Sequence, residues 1–353
     1  MGVPPVKLLW TPAFTLREFC RQTATVERKD RVINGLMEIA RVSHEDVLDA
    51  ASRIAGQVER TPLIESQAGG MRVWLKLECL QTGGAFKLRG ATNRLLQFSP
   101  QERERGVVAF SSGNHARGVA IAARRLGIRA VIVMPADAPK VKVEGTRAEG
   151  AEIVFYNRRT ESREEIAAKI AGDSGATVVP SFDDPAIVAG QGTAGLEIVE
   201  QLGRPPARIV IPCGGGGLAS GIALAVPDAE IVVVEPEGWD DMARSLELGE
   251  IVPVGADAPD TFCDAIMTPR VSPMTLGILR GRGAKATSVT DDEVADAIRF
   301  AWLQHQLVVE PGAAVGLAAL LAGKLAPLDG TVVVLSGGNI DPALHARIIA
   351  AAA

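Results

Sequence analysis

Short apolar runs of β type alternate with stretches of helical spacing along most of this chain, and that alternation limits the fold more than any other feature. The runs are Val73–Leu77, Gly106–Phe110, Ala130–Met134, Glu152–Phe155, Thr177–Val179, Ile209–Ile211, Glu230–Val234 and Thr331–Leu335. Between them lie Ala116–Leu126, Arg163–Ala171, Gln191–Leu202, Leu218–Leu224, Asp291–Gln306 and Ala313–Leu321. A strand that is apolar throughout has both faces buried, and helices between such strands cover both faces of a parallel sheet. The expected class is therefore α/β. No internal repeat of fixed period is present, which argues against a solenoid. Residues 106–182 hold four of the strand–helix alternations and are expected to form a smaller lobe, inserted in a larger one made of 41–105 and 183–353. A cleft between lobes is a common place for a ligand site.

Ahead of the first run, Ser43-His44-Glu45-Asp46 reads as an N-cap with an acidic first turn, opening a helix over Val47–Val58. Residues 1–40 stand apart as an N-terminal extension of no evident role, with prolines at 4, 5 and 12 and a mixed-charge run at Glu27–Arg31. Short helices are predicted there near Leu16–Arg21 and Val32–Ile39.

The bulk properties narrow the partner. With 353 residues, 47% of them hydrophobic and 22% charged, the chain can bury a sizeable core. A net charge of −5 argues against nucleic acid or an anionic membrane and leaves a small molecule. No apolar run approaches the ~20 residues of a membrane span, and no secretory signal pattern opens the chain. Cys20, Cys79, Cys213 and Cys263 are spaced too widely for a zinc pattern and read as reduced thiols of a cytoplasmic protein.

Four loops, each after a predicted strand, carry the chemistry. In Gly83-Gly84-Ala85-Phe86-Lys87-Leu88-Arg89-Gly90 a lysine follows an aromatic at the start of a helix-like stretch. The positive end of a helix is a poor place for a cation. A lysine held there has reason to lose its proton, as a nucleophilic amine must. The second loop, Ser111-Ser112-Gly113-Asn114-His115, offers hydroxyls and unpaired backbone N–H groups suited to a carboxylate or phosphate. Ordinary capping explains the same residues as well. The third, Gly214-Gly215-Gly216-Gly217-Leu218, carries a large entropy cost for a mere turn, but lets the backbone approach an anion closely. Its spacing is that of neither the dinucleotide fingerprint nor the P-loop, which leaves a single phosphate. The fourth, Ser336-Gly337-Gly338-Asn339, puts a hydroxyl at a strand end, where it can either cap or give a ring nitrogen one neutral hydrogen bond. All four lie at the edge where open parallel sheets bind ligands. An aldehyde cofactor with one phosphate and a pyridine ring, pyridoxal phosphate, meets every one of them.

In these motifs and their order the chain resembles the fold-type II pyridoxal-phosphate enzymes (tryptophan synthase β-like), and among them the threonine/serine dehydratase and serine racemase branch. The resemblance runs from about Val42 to the end. It implies two lobes, each a mainly parallel sheet flanked by helices, with the cofactor in the cleft, the larger lobe binding it and the smaller facing the substrate. Lys87 would be the Schiff-base lysine and Phe86 the aromatic beside the ring. Asn114 would bond the ring oxygen, Gly214, Gly215, Gly216, Gly217 and Leu218 the phosphate, and Ser336 the ring nitrogen. Ser111, Ser112, Gly113, Asn114 and His115 would hold the substrate carboxylate, with Ser112 as a second acid/base in the racemase. Glu235, the carbonyl of Trp239 and Asp241 match the places that hold a divalent cation in racemase-like members. Oxygen ligands of that kind suit Mg²⁺ or Ca²⁺, although a solvated acidic loop reads the same way. A homodimer or homotetramer is implied by the family alone.

The activity implied is removal of water and ammonia from L-threonine, L-serine or a related 3-hydroxyamino acid to give a 2-oxo acid. Racemisation of serine and dehydration of 3-hydroxyaspartate stay open beside it. So does a catalytically silent ligand-binding relative, against which the joint presence of lysine, tetraglycine and serine argues. Two departures stand out: Ala85, where many relatives have serine, and Arg117, where glutamine is common. The second sets a positive charge beside the carboxylate loop and bears on substrate choice.

Overall fold

The computed structural model describes residues 42–351 except Ser112, Pro139, Pro327 and the Val141 side chain. The extension over 1–40, its two helices and Ser112 therefore lie outside the described residues. Two sheets carry the architecture. The larger has the order β1-β2-β10-β7-β8-β9. In it β1 (Leu63–Ala68) pairs antiparallel with β2 (Met71–Lys76). The strands β7 (Arg208–Pro212), β8 (Glu230–Pro236), β9 (Lys285–Val289) and β10 (Thr331–Val334) continue it in parallel. The smaller is all parallel, in the order β5-β4-β3-β6, from β3 (Val107–Phe110), β4 (Ala130–Pro135), β5 (Glu152–Tyr156) and β6 (Thr177–Val178).

Helices fill the connections: α1 (His44–Ile54), α2 (Lys87–Leu96), α3 (Pro100–Arg105), α4 (Asn114–Leu126), α5 (Lys140–Ala148), α6 (Arg163–Ser174) and α7 (Pro185–Leu202). Then follow α8 (Gly217–Ala225), α9 (Asp241–Leu248), α10 (Pro273–Gly281), α11 (Asp291–His305), α12 (Pro311–Leu321) and α13 (Pro342–Ala350). The fold is thus α/β with two mainly parallel sheets. Among the described residues no helix is long and apolar enough to cross a membrane.

Local chemistry explains the starts and stops. Ser43 and Asp46 form a reciprocal capping box on α1, whose Val47, Ala50 and Ile54 then share one buried face. That helix ends at Ile54, four residues earlier than its sequence pattern suggests. The interior strands β3, β4, β7 and β10 are nearly all buried along their length, as parallel strands covered on both faces must be. Two strands at the ends of the larger sheet, β1 and β9, were not expected. Their sequences, Leu-Ile-Glu-Ser-Gln-Ala and Lys-Ala-Thr-Ser-Val, are polar because an edge strand has a neighbour on one side only and little need for an apolar run.

The helix that carries Lys87 lies where two cores meet. Phe86 packs against the core cluster of Ile209, Ile211, Val332 and Val334 from the larger sheet. Leu88, Ala91 and Leu95 belong instead to the cluster of Val107, Ala109 and Ile132 from the smaller one. Successive residues thus enter different cores, and the lysine between them stands at the seam.

A buried ion cluster fixes that helix. Arg89, fully buried, donates Nε and Nη2 to both Glu78 carboxylate oxygens at 2.8 Å, and Nη1 to Glu197 at 2.7 Å. Lys76 reaches Glu197 at 2.5 Å and the Thr61 carbonyl at 2.8 Å. Burial alone would push the Glu78 carboxyl up, and the Arg89 guanidinium with its hydrogen bonds more than reverses this. Two cations and two carboxylates compensate one another, the condition for keeping such charges out of water.

Candidate active site

Sheet order decides which loops meet. Because β2, β10 and β7 are consecutive parallel neighbours, the loops at their C-terminal ends lie side by side: the lysine loop, the Ser336 loop and the tetraglycine loop. Backbone bonds stitch the first two together. Phe86 N donates to Ser336 O at 3.1 Å, Gly338 N to Gly84 O at 2.8 Å, and Ala85 bridges Gly337. The smaller sheet contributes the loop after β3.

Lys87 is the first residue of α2, where Phe86 offers no side-chain cap. Its Nζ donates to the Ser181 carbonyl at 2.8 Å and lies 5.1 Å from the Phe86 ring centre. Burial lowers its pKa to about 8, so near that pH half of the molecules carry a neutral amine. The next residue, Phe182, touches the tetraglycine loop. A Cβ on Gly215 would stand 2.3 Å from the Phe182 ring, so only glycine fits there. Gly216, at φ +86°, is the N-cap of α8 and has no side chain to satisfy the first amides of that helix. Leu218 is buried in the core of the larger sheet, anchoring the first turn beneath the loop.

The loop after β3 joins the others through Asn114. Its Oδ1 accepts from Asn339 Nδ2 at 2.8 Å, while its own Nδ2 donates to buried Glu310. Asn339 also donates to Gly83 O at 2.9 Å. Ser111 accepts from Gly113 N at 3.2 Å, closing a small turn ahead of α4. The His115 imidazole is buried and faces Val179 O at 2.9 Å. Burial, then the Lys87 charge, pull its pKa down to about 3. It is neutral, supports the end of β6 and brings no charge to an anion; what it offers a carboxylate is its main chain in the first turn of α4.

The acidic loop is arranged differently from a ready cation cage. Glu235, buried, accepts from the backbone of Met242 and Ala243 at 3.0 and 2.8 Å, tying β8 to the start of α9. Burial and then the neighbouring Asp241 push its pKa well up. Asp241 itself, raised to about 7 chiefly by burial, leaves Oδ2 without a partner. The Trp239 indole donates to Pro259 O at 2.8 Å. Among the described residues no group of three or more His, Cys, Asp or Glu side chains is placed to hold a metal ion.

Sequence reasoning passed over three residues at the site, Ser181, Phe182 and Glu310, and gave Asn339 no role beyond its place in the Ser336 loop. The first two act through a backbone carbonyl and a ring contact, neither of which has a sequence signature. Glu310 did leave a signal, as the one charge between Val308-Val309 and the apolar α12. A lone acid in an apolar run is either exposed at a turn or buried for a purpose, and here it is 2% exposed.

A family model described as "Pyridoxal-phosphate dependent enzyme" matches residues 54–337. The chain belongs to this family. It is 42% identical over 316 residues to an L-threo-3-hydroxyaspartate ammonia-lyase of Pseudomonas sp, covering 87% of this chain and 98% of that protein. It is 38% identical to an L-threonine ammonia-lyase of Thermotoga maritima, over 87% of this chain and 78% of the relative. The solved structure of maize serine racemase superposes with a TM-score of 0.82 at 33% identity, covering 88% of this chain and 98% of that one. Fold-type II architecture and pyridoxal phosphate as cofactor follow from membership. The residues present fit that group: a desolvated amine for its aldehyde, and a glycine cradle at an uncapped helix start for its phosphate.

Proposed function

We propose that this chain is a pyridoxal-phosphate-dependent ammonia-lyase, converting a 3-hydroxyamino acid of the threonine, serine or 3-hydroxyaspartate kind to a 2-oxo acid and ammonia. The observation that carries the reading is Lys87, a partly buried amine with its pKa lowered to about 8, at a helix start where four loops converge. Its relatives named for ammonia-lyase activity on threonine and on L-threo-3-hydroxyaspartate support the reaction class.

When bound, the cofactor supplies an aldehyde that captures amines and a ring that draws electrons away from Cα. Gly214–Leu218 and the start of α8 hold its phosphate, Asn114 its ring oxygen and Ser336 its ring nitrogen, with Phe86 alongside. Ser111, Gly113 and the first turn of α4 hold the substrate carboxylate. Lys87 would take the Cα proton of the bound substrate, for which its lowered pKa suits it. The Cβ hydroxyl would then leave as water, with the proton that Lys87 took from Cα returned to it. The enamine released takes up water again and gives the 2-oxo acid and ammonia.

The test is a panel of 3-hydroxyamino acids assayed for 2-oxo acid and for inversion at Cα, with Lys87→Ala alongside. Turnover by the variant, or inversion without 2-oxo acid, would sink the reading. A divalent cation at Glu235, Trp239 and Asp241 is a further part of the proposal, supported by the unpartnered Asp241 Oδ2. Mg²⁺ should then raise the melting temperature of the wild type but not of Asp241→Asn; equal shifts would remove the cation.

A further inference from the structure

The cavity beside Asn114, about 340 Å³ in volume, is lined by Arg117, Lys142, Asp264, Asn339 and Asp341 among others. Its charges are unevenly engaged. Lys142 pairs with Asp264. Asp341 caps α13 by accepting from Ala343 N and Leu344 N at 2.9 Å. Arg117 has no such partner: among the described residues its one side-chain hydrogen bond goes to the neutral amide of Asn339, at 3.2 Å. Its Nε is buried with nothing to donate to. A guanidinium in that state is a donor fork waiting for a planar anion.

Its place ties it to the reaction. Arg117 lies in the first turn of α4, and the next residue, Gly118, packs so closely on α2 that a Cβ there would be 3.1 Å from the Lys87 carbonyl carbon. Asn339 connects Arg117 directly to Asn114. Gly113 and Asn114 line the cavity together with Arg117, so a substrate whose carboxylate meets those two residues has the Arg117 side of the cavity beside it.

We infer that Arg117, in the cavity that Lys142 also lines, is a specificity residue that binds a second carboxylate, carried on the side chain of the substrate. The preferred substrate is then a dicarboxylic 3-hydroxyamino acid, not one ending in a methyl group or hydrogen. This rests on the proposed ammonia-lyase reading. The side-chain carboxylate takes no part in bond breaking, so Arg117 acts on binding, and the lysine chemistry is the same for either substrate.

The test compares kcat and KM for L-threo-3-hydroxyaspartate and L-threonine in wild type, Arg117→Gln and Arg117→Lys. Loss of a charge-assisted pair should lower the hydroxyaspartate-to-threonine ratio of kcat/KM roughly ten- to hundredfold in Arg117→Gln. The loss should fall mainly on KM, with partial recovery in Arg117→Lys. An equal loss on both substrates, or an unmoved ratio, overturns the inference, since Arg117 would then serve the common carboxylate or the loop itself. If the wild type turns over neither, the ammonia-lyase reading has failed, and calorimetry with the unreactive acids L-malate and 2-hydroxybutyrate decides about Arg117. Tighter malate binding that Arg117→Gln abolishes upholds the second-carboxylate site; equal binding of both acids refutes it.

Discussion

Glu310 should make the stability of this enzyme fall as pH rises through neutrality, and Glu310→Gln should remove that dependence. The side chain is buried at the start of α12, takes one hydrogen bond from Asn114, and leaves Oε2 without a partner. It presses so close to the Ser336 loop that a Cβ on Gly337 would overlap its Oε1. Burial, offset in part by Lys142 and the Asn114 hydrogen bond and reinforced by Asp264, raises its pKa from 4.5 to about 7. The unfolded chain ionises the group near 4.5, the folded one near 7. The folded state therefore enjoys its full stability below about pH 4.5 and loses it progressively as pH rises through 7. At about 1.4 kcal/mol per pH unit the whole loss is about 3 kcal/mol, most of it between about pH 5 and 8. Glutamine keeps the oxygen that Asn114 needs and does not titrate. Urea unfolding of both proteins across that range gives the difference in stability at each pH. Glu310→Gln should gain on the wild type by about 2–3 kcal/mol from the acid to the alkaline end. Any pH-independent offset added to that gain reports the amide alone, because an unpartnered amide costs the same at every pH. Parallel pH profiles would refute the argument.

Three further outcomes follow from the same geometry. Gly215→Ala sets a methyl against the Phe182 ring; overpacking of this kind costs about 1–3 kcal/mol, so pyridoxal phosphate affinity in a fluorescence titration should drop roughly tenfold or more, and recover in part with Phe182→Leu. Capture of pyridoxal phosphate by the apo protein should speed up with pH and level off near 8, since Lys87 titrates at about 8 and not 10.5; a rate still climbing well above that pH would contradict the desolvated amine. Arg89→Met strands Glu78 and Glu197 without their guanidinium and should cost about 3–5 kcal/mol in thermal or urea unfolding, and a loss under 1 kcal/mol would mean that the cluster is wetter than its burial implies.

What could be read from the sequence had a local cause. Interior strands are apolar because both of their faces are covered, so β3, β4, β7 and β10 stand out. The strands β1 and β9 do not, because their sequences are polar and they are only partly buried. Glycine runs are legible for a similar reason: four in succession have no purpose in a regular element, and the structure places them at the start of α8, against Phe182. By contrast, the link from Arg117 through Asn339 and Asn114 to Glu310 joins α4, the loop after β10 and the start of α12. These segments are far apart in the chain and meet only through the order of the strands. Arg117, Asn114 and Glu310 each leave a trace in their own segment, but no local pattern shows that they are joined.

The lysine loop shows how both kinds of information combine. Sequence alone set Lys87 at a helix start, where the dipole disfavours a cation. Burial lowers the pKa, and burial arises because Phe86 enters one core and Leu88 the other. An amine at the seam of two cores is withdrawn from water by both, while its backbone is held by Arg89 two residues on. The reactive group is thus placed by long-range packing, and the helix start adds to an effect already present. A consequence separates the two causes. Widening the seam with Leu88→Ala should return the Lys87 pKa toward 10.5 although α2 still begins at residue 87, whereas a dipole origin would leave it unmoved. The pH dependence of cofactor capture by the Leu88→Ala apo protein reads this directly.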